Sequence, residues 1–413
     1  MKEVQKINVA GNIAARRKQL GLTQTELAER LFVSNKTVSK WERGIGYPEL
    51  PQLLNLSDVL GITVDKLIRG EKHGIAIAGN LLTDSVKLID TYPTPGMLAG
   101  ISAISRAVGG CMANTGIDLT RIDRSMSVYG FGRIGDDEAG KYVMMELQRS
   151  GIDVGGISIS KQSSTGFSDV MSVRSTGERT FFHHRGANAE FAPEDIHISS
   201  LTCRMLHIGY ILLLDRFDED DPQYGTVMAH FLHDVQAAGI RTSIDVVSSN
   251  DGNFAEKVIP ALRYTDNAIM NEIEASGVSG IPVRDEDGNL IRENIEKTME
   301  IIFSNGIGER VIVHCPEAGF CLSQKTGFTE VPSLCLPDGF IKGAVGAGDA
   351  YAAGCLYGLY HGFTDREMLE FAAGAAACSL SAEDSVSGMR SKEEILELIQ
   401  KYKNTTGTEE NNK

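Results

Sequence analysis

Ile341-Lys342-Gly343-Ala344-Val345-Gly346-Ala347-Gly348-Asp349-Ala350-Tyr351-Ala352-Ala353-Gly354 reads as a glycine-rich turn running into a helix of small residues, with one carboxylate in the first turn. The first N–H groups of a helix have no intrahelical acceptor, and the macrodipole adds positive character there, so such a turn favours an anion. A phosphate bound at that point would repel Asp349, which therefore needs a purpose of its own. Taking the proton from a hydroxyl that attacks the phosphate is one such purpose. A lone Gly-x-Gly-Asp is more simply an acid placed at a helix start. The company it keeps along the chain decides between the two.

A chain of 413 residues is too long for one small core, and two or three units are expected. No apolar run approaches the ~20 residues of a membrane span. The start, Met1-Lys2-Glu3-Val4-Gln5-Lys6, lacks the apolar stretch of a secretory signal, so a cytoplasmic protein without membrane contact is expected. The seven cysteines, Cys111, Cys203, Cys315, Cys321, Cys335, Cys355 and Cys378, show no Cys-x-x-Cys spacing and are expected as reduced thiols, not as a disulfide framework or a zinc site. The net charge of −15 is unevenly spread: residues 1–72 hold 12 Lys/Arg against 8 Asp/Glu, leaving 28 against 47 for the rest. Only the basic N-terminal segment suits a nucleic acid.

Residues 7–70 read as an all-α unit of about five short helices, with Ile13, Leu27, Leu31, Val38, Trp41, Leu56, Leu60 and Leu67 at helical spacing. Leu20, Leu50 and Leu54 belong to the same pattern. Gly21 breaks the first helix, another opens near Thr23, and Phe32-Val33 turns into Ser34, an N-cap for a helix from Asn35 to Glu42 that Gly44 ends. Leu22-Thr23-Gln24-Thr25-Glu26-Leu27-Ala28 followed by Val33-Ser34-Asn35-Lys36-Thr37-Val38-Ser39-Lys40-Trp41-Glu42-Arg43-Gly44 resembles the phage-repressor and Cro-type helix-turn-helix family. The resemblance implies that Asn35, Lys36, Ser39 and Lys40 face DNA, that Gln24 sits by the DNA backbone, and that a homodimer spans two half-sites.

From residue 75 onward short β-rich runs alternate with helical patterns, which indicates an α/β layered fold with a mostly parallel central sheet. Gly109-Gly110-Cys111-Met112-Ala113-Asn114 offers close backbone approach and then an amide at a helix start. Asp84 follows the first strand, where a turn aspartate is the plain reading. Gly130-Phe131-Gly132-Arg133-Ile134-Gly135 matches the dinucleotide fingerprint in form. The Asp136-Asp137-Glu138 that follows would repel a pyrophosphate, so NAD is not expected. Asn271 and Glu274, three apart after a strand, suit either a capped surface helix or the water shell of Mg²⁺.

In this order the segments resemble the ribokinase-like (PfkB) carbohydrate kinases, over roughly residues 75–402. The resemblance implies a small β lid, drawn from Lys87–Ala107 and Thr165–Asn188, above the central sheet. It implies ATP and Mg²⁺ as requirements, Asp349 as the base, and the N–H groups of Gly346, Ala347 and Gly348 as the anion hole. Asp84, Gly109, Gly110 and Asn114 would bind a sugar or sugar-like acceptor, and Asn271 and Glu274 would organise the metal. Gly343 and Ala344 stand where many members carry Asp-Thr, which leaves a monovalent cation undecided. The family's nucleotide loop corresponds to Cys315-Pro316-Glu317-Ala318-Gly319, where Gly319 alone is kept. His183, His184, His207 and His314 lie on separate strand candidates without a carboxylate pattern, so structural roles are expected for them. Residues 403–413 read as a disordered tail. The alternative to an ATP-dependent sugar kinase joined to a DNA-binding domain is a regulator whose kinase-like body only senses a ligand.

Overall fold

The computed structural model describes residues 9–70, 72–176, 179–247 and 254–403, so the expected tail falls outside it except for Lys403. The chain divides into two compact units between His73 and Gly74, with Ser199–Cys203 grouped with the first.

The first unit holds α1 (Val9–Gln19), α2 (Gln24–Arg30), α3 (Asn35–Glu42), α4 (Leu50–Leu60) and α5 (Val64–Arg69). Gly21 ends the first helix in the left-handed region, at φ +68. Thr23 then starts α2 with a reciprocal cap to Glu26, and the Ser34 hydroxyl accepts from Thr37 N at the start of α3. Ile13, Leu27, Val38, Leu56, Leu60 and Leu67 are fully buried in its core. Leu20, Leu50 and Leu54, which periodicity also assigned to that core, stay exposed. In so small a unit the inward face is already filled by Leu56 and Leu60 on the same helix as Leu50 and Leu54.

The second unit begins with β1 (Ile75–Gly79), β2 (Leu82–Ile89), β3 (Ile101–Gly109), α6 (Cys111–Ile122), β4 (Val128–Gly135) and α7 (Glu138–Arg149). It continues with β5 (Asp153–Ser160), β6 (Gly166–Val173), β7 (Arg179–His184), β8 (Met205–Ile211), the two-residue strands β9 (Asp220–Asp221) and β10 (Gly225–Thr226), and α8 (Val227–Ala237). Then come β11 (Arg241–Val246), α9 (Phe254–Leu262), β12 (Asn267–Asn271), α10 (Glu272–Ser279), α11 (Arg292–Ser304) and β13 (Arg310–His314). The last elements are β14 (Ala318–Ser323), β15 (Gly327–Pro332), α12 (Ala347–His361), α13 (Asp365–Leu380) and α14 (Lys392–Tyr402).

Nine strands form the main sheet in the order β15-β14-β13-β12-β11-β8-β1-β4-β5. Pairing is parallel from β13 through to β5, and β14 and β15 add an antiparallel edge. Every residue of β1 is buried, as helices on both faces of a parallel sheet require. A second sheet, β3-β2-β6-β7, stands apart from it. Its strands lie in the two segments expected for a lid, but β2 starts earlier, at Leu82. Asp84 is therefore a strand residue paired with Ala107 and Ser168, not a turn aspartate.

Helix α12 is almost entirely buried. A Cβ on Gly354 would stand 2.6 Å from Ala372 Cα, so α12 and α13 meet backbone to backbone. That close fit fixes the depth at which the first turn of α12, and Asp349 with it, reaches the carboxyl ends of the sheet strands.

Candidate functional site

Gly346 caps α12 at φ +78 with no side-chain cap, so nothing at the N-cap competes for the helix's first N–H groups. An added Cβ there would meet the Ser385 carbonyl at 2.5 Å, which excludes any other residue without a shift of the 381–388 loop. Two residues into the helix, Asp349 is buried and its carboxylate is held from both sides. Tyr210 donates its hydroxyl to Oδ1 at 2.6 Å, and Asn114 donates Nδ2–H to Oδ2 at 2.8 Å. The Asn114 carbonyl in turn accepts from Ser385 Oγ at 2.9 Å. Burial pushes the Asp349 pKa up to about 6, and the hydrogen bonds from Tyr210 and Asn114 restrain the rise.

Asp84 reaches the same place from the second sheet. Burial and the Asp349 charge push its pKa up to about 6, against a hydrogen bond from Ser168. Its Oδ2 lies 2.1 Å from where a Cβ on Gly109 would stand, so only glycine there admits the carboxylate. Gly110 caps α6 at φ +94, and its missing Cβ makes room for the Asn80 carbonyl at 2.4 Å. Asn80 Oδ1 accepts from Cys111 N at 2.9 Å and completes that helix start.

On the other side, Asn271 ends β12 and caps α10 reciprocally with Glu274. Asn271 N and Nδ2 both donate to the Glu274 carboxylate at 2.8 Å. The helix is capped as expected, but Glu274 is buried, so the surface part of that reading is corrected. Asp245, near the end of β11, has its pKa raised well above the usual carboxylate range by burial, Glu274 and Asp349.

Four carboxylates, Asp84, Asp349, Asp245 and Glu274, therefore converge where the central parallel strands end. Sequence reasoning had placed three of them and had missed Asp245, Tyr210, Asn80, Ser168 and Ser385. For Asn80, Tyr210 and Asp245 the available signal was position, since residues at or just past the strand carboxyl ends of an open parallel sheet face the ligand crevice. Ser168 inside β6 and Ser385 after α13 carried no such signal. Two further placements in this unit differ from expectation. Asn114 spends its amide on Asp349 and Ser385 and so steadies that carboxylate. Gly319 lies inside β14, paired with His314 and Val331, not in a loop. A Cβ there would collide with the Tyr351 hydroxyl at 1.9 Å, so packing explains this glycine.

The family model for pfkB family carbohydrate kinases matches residues 78–392. The chain belongs to that family. This carbohydrate kinase is 26% identical over 310 residues to the 5-dehydro-2-deoxygluconokinase of Geobacillus thermodenitrificans, covering 72% of the chain and 86% of that protein. Its fold is similar to Arabidopsis thaliana ribokinase complexed with ribose and ATP, with TM-score 0.65 and 19% identity, over 79% of this chain and 99% of that one. Residues 13–67 match a helix-turn-helix model. The N-terminal 47% identity over 71 residues to the HTH-type transcriptional activator BcrR of Enterococcus faecalis covers 17% of the chain and only 34% of that protein.

Within the helix-turn-helix domain, Asn35, Lys36 and Lys40 of α3 are exposed and Ser39 is half-buried beside them. Asn35 Nδ2 donates to Thr25 Oγ1 at 2.6 Å, which ties α3 to α2. Gln24 points inward: its Nε2 donates to Glu42 Oε2 at 2.7 Å, and Arg17 holds the same carboxylate with two hydrogen bonds. The amide expected beside the DNA backbone is thus part of the clamp under α3. Among the described residues no helix is long and apolar enough to cross a membrane.

Proposed function

We propose that the kinase unit transfers the γ-phosphoryl group of ATP to a hydroxyl of a sugar or sugar-like acceptor. The observation that carries this reading is a buried carboxylate, Asp349, held at an uncapped helix start between Tyr210 and Asn114. Asp349 takes the proton of the acceptor hydroxyl as its oxygen bonds to phosphorus. The N–H groups of Gly346, Ala347 and Gly348 donate to the oxygens of the phosphoryl group in flight. Asp84 accepts from a second acceptor hydroxyl, with the backbone of Gly109 and Gly110 close behind it.

The mutually repelling buried carboxylates Asp245 and Glu274 suit Mg²⁺, whose bound waters they and Asn271 would hold. When bound, that ion supplies charge neutralisation for the phosphates. Neither Gly343 nor Ala344 offers a side-chain oxygen to a monovalent cation.

The helix-turn-helix domain binds DNA through Asn35, Lys36, Ser39 and Lys40 of α3, as a homodimer in the cytoplasm. The test of the catalytic reading is ATP turnover against a panel of sugars, sugar acids and nucleosides. The name of the Geobacillus relative puts sugar acids first on that panel. An acceptor-dependent rate that Asp349→Asn abolishes is the expected result. Acceptor binding without turnover, unchanged in the variant, would replace the kinase by a ligand-sensing body.

A further inference from the structure

Cys111 opens α6, His207 lies in β8 and Asp245 lies near the end of β11. In sequence they are far apart, yet one ligand atom from each lies within 4.8 Å of the other two, and all three residues are buried. The imidazole is oriented: Nδ1 stands 3.0 Å from Ser243 Oγ, and Nε2 stands 4.0 Å from Cys111 Sγ. With Nδ1–H donated to Ser243, the lone pair of Nε2 points at the thiol. Burial keeps the ring neutral, pushing its pKa down to about 3. The Asp245 carboxylate accepts from Val246 N–H at 2.8 Å, which leaves further lone pairs on both oxygens.

Imidazole, thiolate and carboxylate together form a zinc donor set, and a histidine fixed through its other nitrogen is the usual way such a ligand is aimed. Tetrahedral bonds of ~2.3 Å to sulfur and ~2.0 Å to nitrogen place those two atoms about 3.5 Å apart. The observed separation therefore has to close by about half an ångström, within reach of small side-chain rotations. Sulfur as a ligand disfavours Mg²⁺, so this is not the cation of the transfer reaction.

We propose that Cys111, His207 and Asp245 form an inhibitory site for Zn²⁺. Binding forms a bond from Cys111 Sγ to the metal and releases the thiol proton to solvent, with no change of oxidation state. The ion then engages Asp245, which otherwise faces Glu274 and Asp349, and its charge reaches Asp349, whose field acts on both Cys111 and Asp245. A carboxylate beside a dication is a poorer base, so transfer slows. Binding stands independently of the kinase reading; the inhibition rests on it.

The experiment is a Co²⁺ titration of the full-length protein, with Co²⁺ as the visible stand-in for Zn²⁺. One equivalent should bring up a thiolate-to-cobalt charge-transfer band, release one proton, and be displaced by Zn²⁺. Cys111→Ser should abolish the band. Ser243→Ala, which frees the imidazole without removing a ligand, should weaken binding roughly 10- to 100-fold. Cys335→Ser, at the exposed cysteine, should leave the band unchanged.

No band in the parent, a band that survives Cys111→Ser, or one lost in Cys335→Ser overturns the site. If Cys111→Ser does not fold, an unweakened Ser243→Ala overturns it equally. Zn²⁺ at one equivalent should also stop acceptor-dependent turnover in the parent. Full turnover with the band present overturns the inhibition. A metal-free protein that turns over no acceptor, with the band intact, strikes the kinase reading alone.

Discussion

Helix α3 of the N-terminal domain begins at Ser34, whose hydroxyl accepts one of the free N–H groups. Helix α12 of the kinase unit begins at Gly346 with no side chain to accept any. The first closes its own end and offers ligands an exposed face of long polar side chains. The second leaves its end open, buries its one acid, and depends on Tyr210, Asn114 and Ser385 to hold that acid in place. The contrast teaches how a helix is put to use. A capped helix is a self-contained part whose surface does the recognising, whereas an uncapped one is half a site that other segments must complete.

The contrast breaks most directly at Asp349. Steady-state kinetics of Asp349→Asn should show kcat reduced by about 10²- to 10⁴-fold, the usual worth of a positioned base. DNA affinity measured on the same preparation should be unchanged. A rate within tenfold of the parent would mean that the open helix end works without its acid.

On the other helix, Lys36→Ala combined with Lys40→Ala should weaken DNA binding on the order of ten- to a hundredfold. The slope of log affinity against log salt should fall by about 2, since each phosphate contact contributes roughly 0.9. Turnover should stay at the parental value. Salt dependence that does not change would remove the exposed lysines from the interface.

Glycine substitutions sharpen the same comparison. Gly44 and Gly346 both sit in the left-handed region, at φ +69 and +78. A Cβ on Gly44 meets only Ala10 Cβ at 3.8 Å, whereas one on Gly346 meets the Ser385 carbonyl at 2.5 Å. Gly44→Ala should lose only the ~1–2 kcal/mol of an L residue in that conformation. Gly346→Ala should lose more in denaturant titrations and impair turnover as well. Equal losses would show that the 381–388 loop yields freely.

The smallest effect expected is a pH shift. Asp349 must be ionised to accept a proton, and both it and Asp84 titrate near 6, so kcat should fall below an apparent pKa near 6 that belongs to the pair. The Tyr210 hydroxyl donates to the charged form, so its loss favours the protonated acid. Tyr210→Phe should therefore move the acid limb upward, by about one unit or less. A limb that stays put would mean that Tyr210 serves packing alone.

Much of this was readable without coordinates, and the reason is locality. The caps at Thr23 and Ser34, the breaks at Gly21 and Gly44, and the turn before Asp349 depend on residues within four positions of one another. Backbone hydrogen bonding and steric limits on φ act at that range, so the residues state the geometry themselves. The alternation of strands and helices likewise follows from burial periodicity.

What lay out of reach was convergence. Tyr210 meets Asp349 from 139 positions away and Ser385 meets Asn114 from 271. Gln24, plausible beside DNA, turns inward because Arg17 and Glu42 are waiting for it. Gly319 is explained by Tyr351 and not by a nucleotide loop. His207 shows no carboxylate pattern in sequence, and Asp245 comes within 4.8 Å of it only because β11 lies beside β8. The sequence by itself determined which segments become helices, strands and turns, because those choices are settled by neighbours along the chain. The tertiary structure decided which side chains share the crevice, because parallel strands connected through helices bring their carboxyl ends together wherever in the chain they began.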